Sequence, residues 1–209
     1  MYEEAWGKNY YYIFKGVRRG AQIYPTYLRK KIFIQIQENI RETKMNYASI
    51  LKCDIANGIG FRVSLFVSGC GRKCPGCFNQ QAQDPTYGKK FDKAAKKKIF
   101  AELDKDYCRG LSLLGGDPMS KLSDNRKVII EFCKEVKEKY PDKDIWMWTG
   151  YTYEELLADE TAKEVFPYID NIVDGPFVEG KKDVSLKWCG SSNQRIIKLH
   201  PNVVILRNS

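Results

Sequence analysis

The sequence predicts an α/β fold on a mostly parallel sheet, and three observations lead to this prediction. Short apolar runs alternate along the chain with longer segments whose apolar residues recur every three or four positions. Several of the apolar runs end in turns rich in Gly or Cys. The 209 residues, 43% of them hydrophobic, are enough for one domain with a substantial core. Strands that alternate with helices imply parallel pairing through right-handed crossovers, and the strands are too few for a closed eight-stranded barrel.

The first half of this pattern contains two strands and one helix. Residues 61–67 alternate apolar and polar side chains, which is typical of a strand. Residues 91–107 form a predicted helix with a Lys-rich outer face. Its apolar positions, at four-residue spacing, are Ala95, Ile99 and Leu103. The apolar run 111–114 predicts a second strand, buried on both faces.

The second half repeats the alternation. Residues 125–140 predict a helix that Pro141 ends. Its apolar face consists of Val128, Ile129, Phe132, Cys133 and Val136. A strand at 144–148 follows, and Thr152 with Glu155 forms a predicted capping box for a short helix. The last predicted strands are 171–173 and 194–199.

The spacing of three cysteines indicates an iron–sulfur cluster. Cys70, Cys74 and Cys77 form a C-x3-C-x2-C pattern, and soft thiolates suit three irons of a four-iron cluster. The fourth iron would then be open to a ligand. Three alternatives are weaker: zinc usually needs a second pair of ligands, a plain ferredoxin needs four cysteines, and seven cysteines are an odd number for a disulfide framework. The single histidine, His200, is predicted to lie on the surface.

A second motif follows the cysteines by a few dozen residues. The run LSLLGGDP at 111–118 indicates a buried strand whose end comes close to another group, because glycine has no side chain to obstruct it. Taken alone, Gly-Gly-Asp-Pro is also an ordinary turn.

The cysteine pattern and the Gly-Gly-Asp-Pro run together resemble the radical S-adenosylmethionine (SAM) superfamily. Within it, six ordered segments resemble the anaerobic ribonucleoside-triphosphate reductase-activating family, whose members activate glycyl-radical enzymes. These segments are NGIG at 57–60, FVSGC at 66–70, CPGC at 74–77, DIWMWTGY at 144–151, VDGPF at 173–177 and GSSNQ at 190–194. The resemblance begins near Met45 and ends near Leu199, and it implies a partial (β/α) barrel, open at one side and formed by residues 45–209.

The resemblance also implies two cofactors and their site. They are one 4Fe-4S cluster and SAM, with no catalytic side chain beyond them. The implied cluster ligands are Cys70, Cys74 and Cys77. The implied SAM contacts are Gly76, Cys77, Phe78, Gly115, Gly116 and Asp117. Residues 174–176 and 191–193 are candidate rim loops or ordinary turns, and residues 71–73 are interpreted as filler that binds nothing through its side chains.

Two of the implied contacts have structural alternatives. Asp117 either accepts a hydrogen bond from the SAM ammonium or is a turn or cap aspartate. Phe78 either lies near the adenine or is a core aromatic. Cys133 is predicted to be core, and no second site is expected from Cys53, Cys108 and Cys189.

The implied reaction is that of an oxidoreductase. The enzyme would cleave SAM reductively to a 5′-deoxyadenosyl radical, which removes a Cα hydrogen from a glycine of the anaerobic (class III) reductase. The implied partners are that reductase and a low-potential electron donor such as flavodoxin. Two alternatives stay open: an activase of another glycyl-radical enzyme such as pyruvate formate-lyase, and a non-catalytic iron–sulfur electron-transfer protein.

Residues 1–44 differ from the rest of the chain. They hold six of the 13 tyrosines, and their nine Lys/Arg against four Asp/Glu account for five of the nine net positive charges. We predict an N-terminal extension that is flexible or results from a start codon assigned too early. Because the cysteine-bearing part is only modestly basic, no nucleic acid is expected as a partner. No apolar run is long enough to span a bilayer, so no membrane is expected either, and the odd cysteine count favours the cytoplasm.

Overall fold

In a computed structural model of the chain, residues 45–200 and 204–206 are described, so the predicted N-terminal extension lies outside the described residues. The strands are β1 Asn46–Asp54, β2 Phe61–Val67, β3 Lys89–Lys90, β4 Cys108–Gly115, β5 Asp144–Trp148, β6 Asn171–Asp174, β7 Arg195–Lys198 and β8 Val204–Leu206. The α-helices are α1 Lys93–Leu103, α2 Asn125–Lys139 and α3 Tyr153–Leu157. Short 3₁₀ helices span Gln80–Gln83, Ala162–Tyr168 and Glu179–Lys181.

The strands form one open mixed sheet in the order β3-β1-β2-β4-β5-β6-β7-β8. Strands β2, β4, β5 and β6 are parallel, while β1 and β3 on one side and β7 and β8 on the other pair antiparallel. The prediction of a mostly parallel sheet is therefore wrong outside its centre. Parallel pairing needs a long crossover, and the connection 55–60 between β1 and β2 is too short for one.

The helices follow the predicted patterns. Asp92 caps α1, since its side chain accepts from the Ala95 N–H at 2.8 Å. All predicted apolar positions of α1 and α2 are buried. The capping box that begins α3 is confirmed, with Thr152 and Glu155 each bonded to the other's backbone. None of the described helices is long and apolar enough to cross a bilayer.

The two faces of the parallel strands differ in chemistry. One face, which includes Val63, Leu65 and Leu113, packs with the apolar sides of α1 and α2 in the main core. The alternate residues of β2, β4 and β5 form a polar and aromatic face. There the fully buried Arg62 donates to Ser112 Oγ at 2.7 Å, and its Nη1 contacts Asp144 Oδ1 at 2.5 Å. The polar face leads toward the cavity that contains the predicted site.

Candidate functional site

The cysteine loop, defined as residues 68–79, follows β2 and is fastened by backbone hydrogen bonds. The Gly69 N–H donates to the Ala82 carbonyl at 2.7 Å, and the Cys70 N–H donates to the Gln83 carbonyl at 3.0 Å. The Gly69 carbonyl in turn accepts from the Asp117 N–H at 3.0 Å. The beginning of the loop is thus held between the Gln80–Gln83 helix and the turn after β4.

The second half of the loop is a tight turn. The Cys77 N–H donates to the Cys74 carbonyl at 3.3 Å. Gly76 has φ +67° and follows Pro75, which is the arrangement that a type II turn requires. The turn thus accounts for Gly76 without any ligand, and a SAM contact of this residue stays a prediction.

The three cysteines of the loop line one cavity of about 200 Å³. Their thiols are partly exposed, and none of them is in a disulfide. The other walls come mainly from turns at the carboxyl ends of β4, β5 and β6, through Leu114, Gly115, Gly116, Trp148, Thr149, Gly150, Gly175 and Phe177. The cysteine loop and the Gly115–Gly116 turn thus meet at one cavity, at the strand ends where parallel sheets place ligands.

The donor set, three soft thiols from one loop, is of the kind that a four-iron cluster uses. Across residues 45–200 and 204–206, no group of three or more His, Cys, Asp or Glu side chains is arranged to hold one ion. A four-iron cluster binds each cysteine through a different iron, so it requires a wider triangle of sulfurs than a single ion does. Burial raises the pKa of the Cys70 thiol, and metal binding would favour its thiolate. Three free thiols on one cavity wall are a suitable set for such a cluster.

Gly115 and Gly116 line the cavity, but the protein's own backbone already requires both. Gly115 has φ +109°, and a Cβ there would lie 2.6 Å from the Val67 carbonyl oxygen. At Gly116 a Cβ would lie 2.5 Å from the Ala82 oxygen and 2.8 Å from the Gly69 oxygen. The pair therefore allows the strand end to pack against the cysteine loop, and its close approach to SAM stays a prediction.

Asp117 is buried beside the cavity and does not line it. Its Oδ1 accepts from the Met119 N–H at 2.8 Å and the Thr149 hydroxyl at 2.9 Å, and its Oδ2 accepts from the Gly150 N–H at 3.0 Å. Burial raises the pKa of this carboxyl despite these donors. Asp117 therefore joins the turn after β4 to the turn after β5, while its predicted contact with the SAM ammonium stays a prediction.

Phe78 lies at the mouth of the cavity and is 65% exposed, so the alternative of a core aromatic is wrong. Its ring meets Phe177 edge to face, with centroids 5.3 Å apart. The two candidate rim loops are joined by Gln194, whose Oε1 accepts from the Gly190 N–H at 2.8 Å and whose Nε2 donates to the Gly175 carbonyl at 3.0 Å. Gly175, Gly190 and Gln194 line the cavity, whereas the 191–193 turn does not.

Arg72 lines the cavity as well, so interpreting it as filler was wrong. Its guanidinium carbon lies 4.4 Å from the centroid of the Tyr151 ring, and Nη2 donates to Glu155. The sequence offered one signal that Arg72 contributes to the cavity, namely its position between Cys70 and Cys74. The neighbouring Gly71 and Lys73 do not line the cavity.

The remaining candidates lie away from the cavity. Cys133 is buried in the main core, as predicted, and so is Cys108. Cys53 is exposed, and Cys189 is buried in the smaller hydrophobic cluster that contains Trp146. His200 is exposed, and its Nε2 lies 3.0 Å from the Phe166 carbonyl oxygen.

The comparison with known proteins agrees with the iron–sulfur cluster that the spacing of the three cysteines predicts. The profile of the family described as "4Fe-4S single cluster domain" matches residues 56–197. A protein of Pasteurella multocida is 44% identical over 156 residues, which cover 74% of this chain and 98% of the relative. Relatives from Escherichia coli K12 (42% identical; 72% of this chain, 96% of the relative) and Enterobacteria phage T4 (41%; 73% and 93%) are similar over 152 residues each. All three are named anaerobic ribonucleoside-triphosphate reductase-activating protein.

Proposed function

Because the chain belongs to the family of anaerobic ribonucleoside-triphosphate reductase-activating proteins and carries a 4Fe-4S single cluster domain, we propose that it is a radical SAM oxidoreductase that generates a glycyl radical on a class III reductase. One observation carries the proposal: the three thiols of the cysteine loop and the Gly115–Gly116 turn line the same cavity. The cavity also extends from the thiols to Trp148, Thr149 and Gly175 at the ends of β5 and β6, and an electron carrier that only holds a cluster has no need for this extension.

When bound, the cluster and SAM would supply the radical chemistry: one electron from the reduced cluster would split a carbon–sulfur bond of the sulfonium, leaving methionine and a 5′-deoxyadenosyl radical that would take the Cα hydrogen of a partner glycine. The chain's own residues would hold and orient the two cofactors. Cys70, Cys74 and Cys77 would each bind one iron. The backbone bonds from Gly69 and Cys70 keep the loop on the strand ends, which limits how far the thiols can move.

The mouth of the cavity supports a protein substrate. Phe78 is exposed there and packs on Phe177, so the site is open on a side that presents aromatic surface. Aromatic side chains are frequent at protein interfaces. A glycine-containing loop of the reductase would have to enter at this mouth to bring its Cα to the cavity.

Three further parts of the proposal follow from this chemistry. The open sheet, whose parallel strands β2, β4, β5 and β6 end at the cavity, is a partial barrel of the radical SAM type. A low-potential donor such as flavodoxin reduces the cluster. The compartment is the cytoplasm, where thiols stay reduced.

Anaerobic reconstitution with iron and sulfide tests the proposal. We expect the loaded protein to form 5′-deoxyadenosine from SAM with dithionite as reductant, and to produce a glycyl-radical signal by electron paramagnetic resonance when the reductase is added. SAM cleavage without a radical on the reductase, but with one on pyruvate formate-lyase, would indicate the other activase. A stable cluster without any SAM cleavage would indicate an electron-transfer protein and refute the proposal.

A further inference from the structure

Arg72 gives the cavity its only full charge among the described lining residues. The other lining side chains are thiols, amides, a hydroxyl, apolar and aromatic groups, and several of the lining residues are glycines. Asp117, the charged residue that the motif had suggested, uses its oxygens for three donors of the protein. Arg72 therefore places one positive charge on the wall that also carries the cysteines, and the carboxylates of Glu155 and Asp117 act on this charge from outside the cavity lining.

The guanidinium is held in place on two sides. It lies over the Tyr151 ring at 4.4 Å, and Nη2 donates to Glu155. The absence of a side chain at Gly150 allows this position, since a Cβ there would lie 2.9 Å from Arg72 Cγ. A charge that is already ordered binds a ligand without a further loss of side-chain entropy.

Part of the guanidinium has no partner. In the described part of the chain, Arg72 Nε is buried and makes no hydrogen bond. A buried donor without a partner is unfavourable, and such groups are rare in folded proteins. Arginine presents its donors as a planar fork that matches a carboxylate, and only Nη2 is bonded to Glu155. Nε is enclosed by the protein, so Nη1, which bonds no described residue, is the donor that a ligand at the cavity wall can use.

We propose that Arg72 binds the carboxylate of the methionyl group of SAM. This inference rests on the proposed function, because it concerns the ligand of that same cavity. A carboxylate would pair with Nη1, the donor of the guanidinium that Glu155 does not use. It follows that Glu155 competes with the ligand for the same guanidinium.

Two variants with opposite effects test this proposal. Arg72→Gln removes the charge, and Glu155→Gln removes the competitor but keeps an acceptor for the capping box. The measured quantity is the dissociation constant of SAM and of decarboxylated SAM, by equilibrium dialysis under anaerobic conditions, on cluster-loaded protein. Because the iron is present in every protein, its own contribution cancels when variants are compared. Lys73→Gln is the control, since it removes a charge from the same loop without touching the cavity.

We expect Arg72→Gln to bind SAM about 10- to 100-fold more weakly, the usual effect of losing charge-assisted hydrogen bonds, with little change for decarboxylated SAM. Glu155→Gln should bind SAM a few-fold more tightly, and Lys73→Gln should match the wild type. If Arg72 only fastens the loop to Tyr151, both Arg72→Gln and Glu155→Gln will weaken the two ligands alike, which overturns the inference.

Two further outcomes are also decisive. If Arg72→Gln does not load its cluster, the increase in affinity of Glu155→Gln for SAM alone still decides, since a weaker or unchanged affinity overturns the inference. If the wild-type protein itself binds no SAM, the proposed function fails and the assignment of Arg72 fails with it, whereas SAM binding that both variants leave unchanged overturns the assignment alone.

Discussion

Replacing Gly116 with alanine should destabilise the cysteine loop through the backbone. The new Cβ would lie 2.5 Å from the Ala82 oxygen and 2.8 Å from the Gly69 oxygen, where ordinary contacts begin at 3.4 Å. Each carbonyl would have to move by roughly 0.6–0.9 Å. Both carbonyls are hydrogen-bond acceptors, from the N–H groups of Gly69 and Asp117. The substitution therefore adds overpacking and weakens two bonds at once.

The magnitude follows from those two effects. Overpacking that moves backbone costs about 1–3 kcal/mol, and each weakened hydrogen bond costs about 0.5–1.5 kcal/mol at most. We expect Gly116→Ala to lose about 2–6 kcal/mol of unfolding free energy, a large share of the roughly 5–15 kcal/mol of a typical domain. The cluster should load incompletely, because the displaced Gly69 immediately precedes Cys70.

The assay is urea unfolding of the apoprotein by circular dichroism, together with iron per chain after reconstitution. Gly180→Ala is the matched control, because a Cβ there meets nothing within 4 Å. If Gly116→Ala unfolds at the same urea concentration as Gly180→Ala and carries the same iron, the backbone argument is refuted. In that case, weaker SAM binding by the variant would support the ligand-contact role that the motif predicts.

Three other predictions concern the cluster and the surface. Alanine in place of Cys70, Cys74 or Cys77, the proposed cluster ligands, should remove most of the iron and the visible absorbance. Cys53→Ala, which replaces an exposed cysteine outside the cavity, should retain both. Exposure of the loaded protein to air should bleach the absorbance and abolish SAM cleavage, because an iron without a protein ligand is open to oxygen; survival of both would contradict the open iron. The hydrogen bond from Arg195 lowers the pKa of Glu154 from 4.5 to about 2, so the stability from this pair is present above about pH 4.5 and lost as the pH falls toward 2. Urea midpoints should therefore show Glu154→Gln less stable than wild type by at most about 1 kcal/mol at pH 7 and equal to it near pH 2, since the pair is exposed; a deficit that persists at low pH would refute this.

Elements buried on a regular face were predictable, and elements at the edges were not. Strands β2 and β5 begin and end at the predicted residues, because their apolar patterns are bounded by turns. The predictions missed β1, whose only buried residues are Tyr47 and Asp54, so it lacks an alternating pattern. Strands β3 and β8 have two and three residues, too few for any period. Antiparallel edge strands pair through short connections, and the apolar pattern within a strand does not indicate this pairing.

The members of the site could be named from their motifs, but the direction of each side chain could not. The cysteine spacing and the Gly-Gly run placed the right segments around one cavity. The glycines, however, are required because the backbones of Gly69, Ala82 and Val67 lie close to them. These residues are far from the Gly-Gly run along the chain, and no sequence pattern indicates the contact. A glycine tolerates close approach from any direction, so its presence alone does not tell whether a ligand or the protein comes near.

The charge of the cavity is a second case in which the motif named a residue but not the direction of its side chain. This charge decides which group of a ligand is attracted. The motif suggested a carboxylate, Asp117, which would accept a hydrogen bond from the ammonium of SAM. In the structure that carboxylate is turned into the protein, and the charge at the wall is the cation Arg72. A cation favours the one negative group of SAM and disfavours its two positive groups. Under our proposal the charge of Arg72 serves the carboxylate of SAM, whereas the other described lining side chains, among them Leu114 and Trp148, carry no charge.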